Sequence, residues 1–166
     1  MTDHKTFRDP RRSRGTSRSR VANVVGVVLL CAMLAGCVTT AGGVLGDLSR
    51  SARSAASDLH SAALALDLYS RGDSTIGVSE TALDDAVTDL TSQQESVSSL
   101  SVSTSQERNA RAAILSRLDV AVHAVIRGKE ALTEADGAES VHSARKQATR
   151  DASRMKALAI RLEKLW

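Results

Sequence analysis

Glu139 and His142 stand three residues apart, a spacing that puts a carboxylate and an imidazole on one face of a helix within reach of a single cation. Di-iron helical bundles use two such E-x-x-H pairs plus a glutamate from each of two further helices. This chain holds one pair, so an iron site is incomplete from the start. Asp119 and His123, four residues apart, could share a metal in the same way. The apolar register described below places all four side chains outside the packing seam, where they face solvent. His60 lies beside the seam and not in it, so the many serines find no histidine placed to activate one of them.

Arg71, Gly72, Asp73 and Ser74 spell a tetrapeptide that animal integrins recognise. Each residue also has a local structural job: Gly72 can end one helix in the left-handed conformation, and Asp73 or Ser74 can cap the next. Asp67, Asp73, Glu130, Glu134, Asp136 and Glu139 gather toward one end of the expected helices, where a solvated acidic surface is the default reading ahead of a weak cation site. A glycine-rich phosphate loop is absent. No catalytic residue, metal ligand or cofactor is therefore assigned.

The elements that carry these residues follow from apolar spacing. Leu45, Leu48, Ala52, Ala55, Leu59, Ala62, Leu66 and Tyr69 form one stripe at three- and four-residue intervals, and Ile76, Leu83, Ala86, Leu90, Val97 and Leu100 a second. A third runs through Ile114, Leu118, Ala121, Val125, Leu132 and Ala135; a fourth through Val141, Ala144, Ala148, Met155, Leu158, Leu162 and Leu165. Such heptad seams belong to packed helices. The only proline is Pro10, so nothing after it interrupts a helix. Turn chemistry separates the stripes: Arg71 to Ser74, the capping box Thr104 to Glu107, and Asp136 with Gly137. The expectation is an all-α fold, an antiparallel up-down four-helix bundle over residues 44–166. A three-helix coiled coil with a loose first helix is the alternative.

Charge divides the chain differently. Of 22 basic and 19 acidic residues, seven basic and two acidic fall in residues 1–20, and residues 21–36 carry no charge. The stretch from Cys37 onward keeps 15 basic and 17 acidic side chains, a net of −2. The pI near 9.2 thus belongs to the first 20 residues. With only Tyr69 and Trp166 as aromatics after Cys37, the body has neither the charge nor the stacking platform of a nucleic-acid binder.

A basic block, an apolar run over residues 21–34, then Leu34, Ala35, Gly36 and Cys37 is the layout of an export signal. It resembles the bacterial lipoprotein family, whose lipobox is an aliphatic residue, two small residues and a cysteine. The resemblance implies a diacylglycerol in thioether linkage on Cys37, cleavage between Gly36 and Cys37, and removal of residues 1–36. Two acyl chains on one residue give a stable anchor where one is marginal. An uncleaved signal anchor is the alternative, since residues 21–38 are just long enough to span a bilayer. Both place the body outside the cytoplasm, the lipoprotein on the outer leaflet of the cell membrane, or on an outer membrane where there are two. The Arg11 and Arg12 pair lacks the apolar residues that a twin-arginine signal needs behind it. Cys31 leaves with the leader and Cys37 is acylated, so no disulfide is available to the body.

Residues 37–43 then form the lipidated cysteine and its linker. Three short loops return the fourth helix to the anchored end, where Lys156, Arg161, Lys164 and Trp166 would meet anionic head groups. The expected function is that of a membrane-anchored, non-enzymatic binding or adaptor module for an envelope or protein partner, self-association included. A carrier of an apolar ligand held between helices is the alternative, and an enzyme a distant third. An adaptor requires a seam closed by alanine and leucine; a carrier requires a gap where Ala52, Ala55, Ala121 and Ala148 face one another.

Overall fold

The computed structural model describes residues 42–134 and 137–165, and all four regular elements among them are α-helices: α1 Gly43–Ser70, α2 Ile76–Ser99, α3 Ser105–Thr133 and α4 Gly137–Glu163. The leader, Cys37, Ala135, Asp136 and Trp166 lie outside the described residues.

Helix ends are set by local chemistry. At the end of α1, the Asp73 N–H donates to the Leu68 carbonyl at 2.9 Å and the Gly72 N–H to the Tyr69 carbonyl at 3.0 Å. Gly72, at φ 77°, supplies the left-handed turn of this Schellman motif. The first helical residue of α2 is Ile76, so the N-cap position falls on Thr75, whose hydroxyl accepts the Val78 N–H at 3.4 Å. This corrects the expectation that Asp73 or Ser74 caps α2. The capping box of α3 forms as expected: Thr104 Oγ1 accepts the Glu107 N–H at 3.1 Å, and Glu107 Oε2 accepts the N–H groups of Thr104 at 2.9 Å and Ser103 at 2.8 Å. Those two backbone donors hold the Glu107 carboxyl below its ordinary value.

Cross-helix pairs give the topology. Ser49 donates to Glu163 at 3.0 Å and Arg145 to Asp67 at 2.7 Å, so α1 and α4 run antiparallel. Gln93 donates to Asp58 at 2.6 Å, making α2 antiparallel to α1. Arg111 donates to the Leu100 carbonyl at 2.9 Å and Lys129 to Asp84 at 2.6 Å, making α3 antiparallel to α2. The result is an up-down-up-down bundle. The start of α1, the α2–α3 loop and the end of α4 share one end, called the base below.

The four helices are not equivalent. The α1–α4 interface is the most extensive, α1 also meets α3 across the diagonal, and α2 and α4 do not touch. Because α1 packs on three neighbours, its buried face is wider than a heptad seam and takes in Ala56, Ala63 and Ala65 besides the expected stripe. The loose first helix of the alternative is thereby ruled out. Small residues allow this close packing: a Cβ on Gly128 of α3 would lie 3.2 Å from Leu66 Cδ1 and 3.7 Å from Ala144 Cβ.

The described buried apolar cluster runs from Leu48 to Leu162, within the unit Thr40–Trp166. Two residues assigned to the stripes fall outside that core. Ile76, the first residue of α2, is 43% exposed, and Leu165, past the end of α4, is 49% exposed. At both sites a neighbour three residues away holds the inward position: Ser79 in α2 and Leu162 in α4. Ser79 is tolerated there because its hydroxyl is bonded, to the Ala65 carbonyl at 3.3 Å and Ser74 Oγ at 3.1 Å.

Candidate functional site

Charge in this bundle is sorted by helix. Helix α2 carries Glu80, Asp84, Asp85, Asp89 and Glu95 and no basic residue. Helix α4 carries Arg145, Lys146, Arg150, Arg154, Lys156 and Arg161 against Glu139, Asp151 and Glu163. Since α2 and α4 sit on opposite sides of α1 and α3, the acidic and basic helices are held apart.

The basic side is purer than its count implies. Between Lys146 and Lys164 the exposed charged side chains are Lys146, Arg150, Arg154, Lys156, Arg161 and Lys164, all cationic. The two acids of that stretch turn away. Asp151 is 5% exposed and accepts from Gln147 at 2.7 Å and Arg154 at 3.1 Å. Glu163 faces α1, where it accepts from Ser49 and pairs with Arg53. Apart from Arg154, none of the six has an ion-pair partner among the described residues. Exposed Ala157 and Ile160 lie among them. Next to this face, α3 and α4 leave an open groove of about 370 Å³ with Arg117, Val120, Asp151, Arg154 and Met155 in its walls.

Of the expected membrane-proximal residues, Lys156, Arg161 and Lys164 are exposed near the base, while Trp166 lies outside the described residues, as does Cys37 with its Gly36 cleavage bond. Lys146, Arg150, Arg154 and Arg117 extend the same surface and were not singled out from sequence. The signal for them was partial: after Lys146 the charged residues of α4 are basic except Asp151 and Glu163, and the turning of those two away from the surface is a property of the assembled bundle.

The remaining candidates stay apart. Glu139 and His142 are exposed, and His142 Nδ1 lies 3.3 Å from the Arg145 guanidinium, itself bonded to Asp67. Asp119 and His123 are exposed, with Nδ1 3.7 Å from the carboxylate and 2.8 Å from the Asp119 carbonyl, an ordinary intrahelical contact. His60 is exposed. Among the described residues, no group of three or more His, Cys, Asp or Glu converges in a way that could hold a metal ion. Asp67 is tied to both Arg71 and Arg145, which neutralises part of the acidic tip and occupies the arginine of the Arg-Gly-Asp-Ser turn. A shallow recess of about 770 Å³ opens at that end between Tyr69, Arg71, Glu134, Val141 and His142.

The seam itself is closed. Ala52, Ala55 and Ala121 have no accessible surface and Ala148 is 1% exposed, so no water-sized gap adjoins them. No described helix is long and apolar enough to cross a membrane. No family model, curated protein or solved structure matches the chain.

Proposed function

We propose that this chain is an extracytoplasmic lipoprotein, anchored through Cys37, whose helical bundle is a non-enzymatic binding or adaptor module. The observation that carries the reading is the run of basic block, apolar stretch and Leu34, Ala35, Gly36, Cys37, followed within a few residues by the first helix. A buried apolar cluster that runs from Leu48 to Leu162 supports it, because these described core residues all lie after the expected cleavage point. The closed alanine seam favours an adaptor, acting through its surface, over a carrier of an apolar ligand.

Intact-mass measurement of the membrane-extracted protein tests the anchor. The expected species starts at Cys37 and is heavier than its polypeptide by a diacylglycerol, with or without a further acyl chain. Cys37→Ser should release the protein from the membrane or leave it with its leader attached. An unmodified chain beginning at Met1 would remove the basis of the reading.

A further inference from the structure

The anchor, if it is at Cys37, is short. Six residue steps separate Cys37 from Gly43 and span at most about 22 Å at about 3.3–3.6 Å each. That keeps the start of α1 close to the bilayer surface. The end of α4 lies beside the start of α1, through Ser49 and Glu163 at 3.0 Å, so the tether leaves the bundle next to the basic face. A bundle held this close can stand on its base or lie on its side, and charge decides between the two.

Of the basic residues of α4, standing on the base would bring down only Lys156, Arg161 and Lys164, and it would add Arg108 beside Glu107 at the start of α3. Lying on α4 brings down Lys146, Arg150 and Arg154 as well, with Ile160 and Ala157 at the head-group level and no acidic side chain in the contact. It also turns the five acids of α2 away from the surface, since α2 is the one helix that α4 does not touch. We infer that the outer face of α4, from Lys146 to Lys164, docks lengthwise on an anionic phospholipid surface. The inference rests on the lipoprotein reading only for the tether that delivers the body to the bilayer.

Sedimentation with vesicles tests it, using the chain from Thr40, which contains every described core residue and whose folding circular dichroism checks first, and no lipid anchor. Vesicles of phosphatidylcholine alone should bind nothing; vesicles that also contain phosphatidylglycerol should bind the protein at low salt and release it as salt rises. Each basic residue at the surface is worth about 1 kcal/mol, roughly five-fold in partition. Lys146→Gln with Arg150→Gln should therefore lower partition about 25- to 30-fold, and Arg161→Gln with Lys164→Gln by a similar factor. All four side chains are exposed, and circular dichroism should show both double variants folded.

Equal partition into neutral and anionic vesicles overturns the proposal. A loss confined to the Arg161 and Lys164 pair overturns it in favour of docking through the base. Salt-sensitive self-association without vesicles that both double variants abolish would assign the face instead to a second copy of the chain. None of these outcomes bears on whether Cys37 is acylated, which intact mass reads separately.

Discussion

Asp58 on α1 sits against α2 in an arrangement that leaves one polar atom without a partner, and replacing it with asparagine should stabilise the protein. Gln93 Nε2 donates to Asp58 Oδ2 at 2.6 Å and to Ser54 Oγ at 3.2 Å, while Gln93 Oε1 is buried with no hydrogen bond. Burial raises the Asp58 pKa above 3.8; the Gln93 bond offsets part of this, and the nearby Asp89 carboxylate adds to it. The folded protein thus binds this proton more tightly than the unfolded chain does. Stability contributed here declines as pH rises from the unfolded value through the raised folded one, and at pH 7 the full cost is present. In Asp58→Asn the amide oxygen keeps the Gln93 Nε2 bond, its Nδ2 can donate to Gln93 Oε1, and the repulsion from Asp89 is gone. Leaving a buried acceptor unpaired costs about 1–3 kcal/mol. Because Asp58 is only partly buried the low end applies, about 1 kcal/mol, or roughly 4 °C in Tm for a domain of this size. Thermal melts of both proteins by circular dichroism at pH 7 and pH 4 measure it. The variant should melt higher at pH 7, and the gap should narrow at pH 4, where the protonated Asp58 can itself donate to Gln93. A variant no more stable at pH 7, or a gap that does not depend on pH, would refute the assignment.

Other perturbations test the fold and the reading of the seam. Thr104→Ala should cost about 1 kcal/mol in urea unfolding by removing the α3 cap. It should also weaken the hold of the loop N–H groups on Glu107. The Glu107 contribution, present above its unfolded pKa and lost as pH falls through its lowered folded value, should shrink in a pH titration of stability. Gly137→Ala should cost about 1–3 kcal/mol, since its Cβ would lie 2.4 Å from the Ala131 carbonyl oxygen and backbone must move to admit it. Ala121→Leu should cost a similar 1–3 kcal/mol by overpacking the closed seam; a variant of wild-type stability would mean that the seam has room for a ligand.

Helix number, order and direction were legible because the apolar spacing of three and four residues runs almost uninterrupted and the loops carry strong turn chemistry. Leu48, Leu59, Leu83, Ile114, Leu118 and Met155 are buried as their stripes require. The errors fall where local pattern carries no tertiary information. Ile76 and Leu165 continue a stripe in sequence but sit at or beyond a helix end and are exposed there. Ser49, Ser79 and Asp151 are buried polar residues that periodicity alone would point outward; their hydrogen bonds to other side chains and to backbone carbonyls make their burial possible. The extra alanines of α1 became core because α1 has three neighbours, a property of the assembled bundle. As for the basic surface, sequence polarity suggested a basic base and an acidic tip. The structure adds a second axis across the bundle, which requires knowing which helices are adjacent.

That transverse separation is not a product of what stabilises the helices. Lys146 and Arg150, and Arg150 and Arg154, are like-charged neighbours four residues apart on α4, as are Asp85 and Asp89 on α2. Each such pair costs a few tenths of a kcal/mol that an alternating pattern would turn into a gain of the same size. Opposite charges do meet in this protein, both along one helix, as Arg50 with Asp47, and where helices adjoin: Arg53 with Glu163, Arg145 with Asp67, and Lys129 with Asp84. Ion pairs join α1 to α4 and α2 to α3, while the outward faces of α2 and α4 each keep one sign against their own local stability. A surface that opposes its own helix in this way is understandable if something outside the bundle compensates it, and for α4 that must carry negative charge along the whole distance from Lys146 to Lys164.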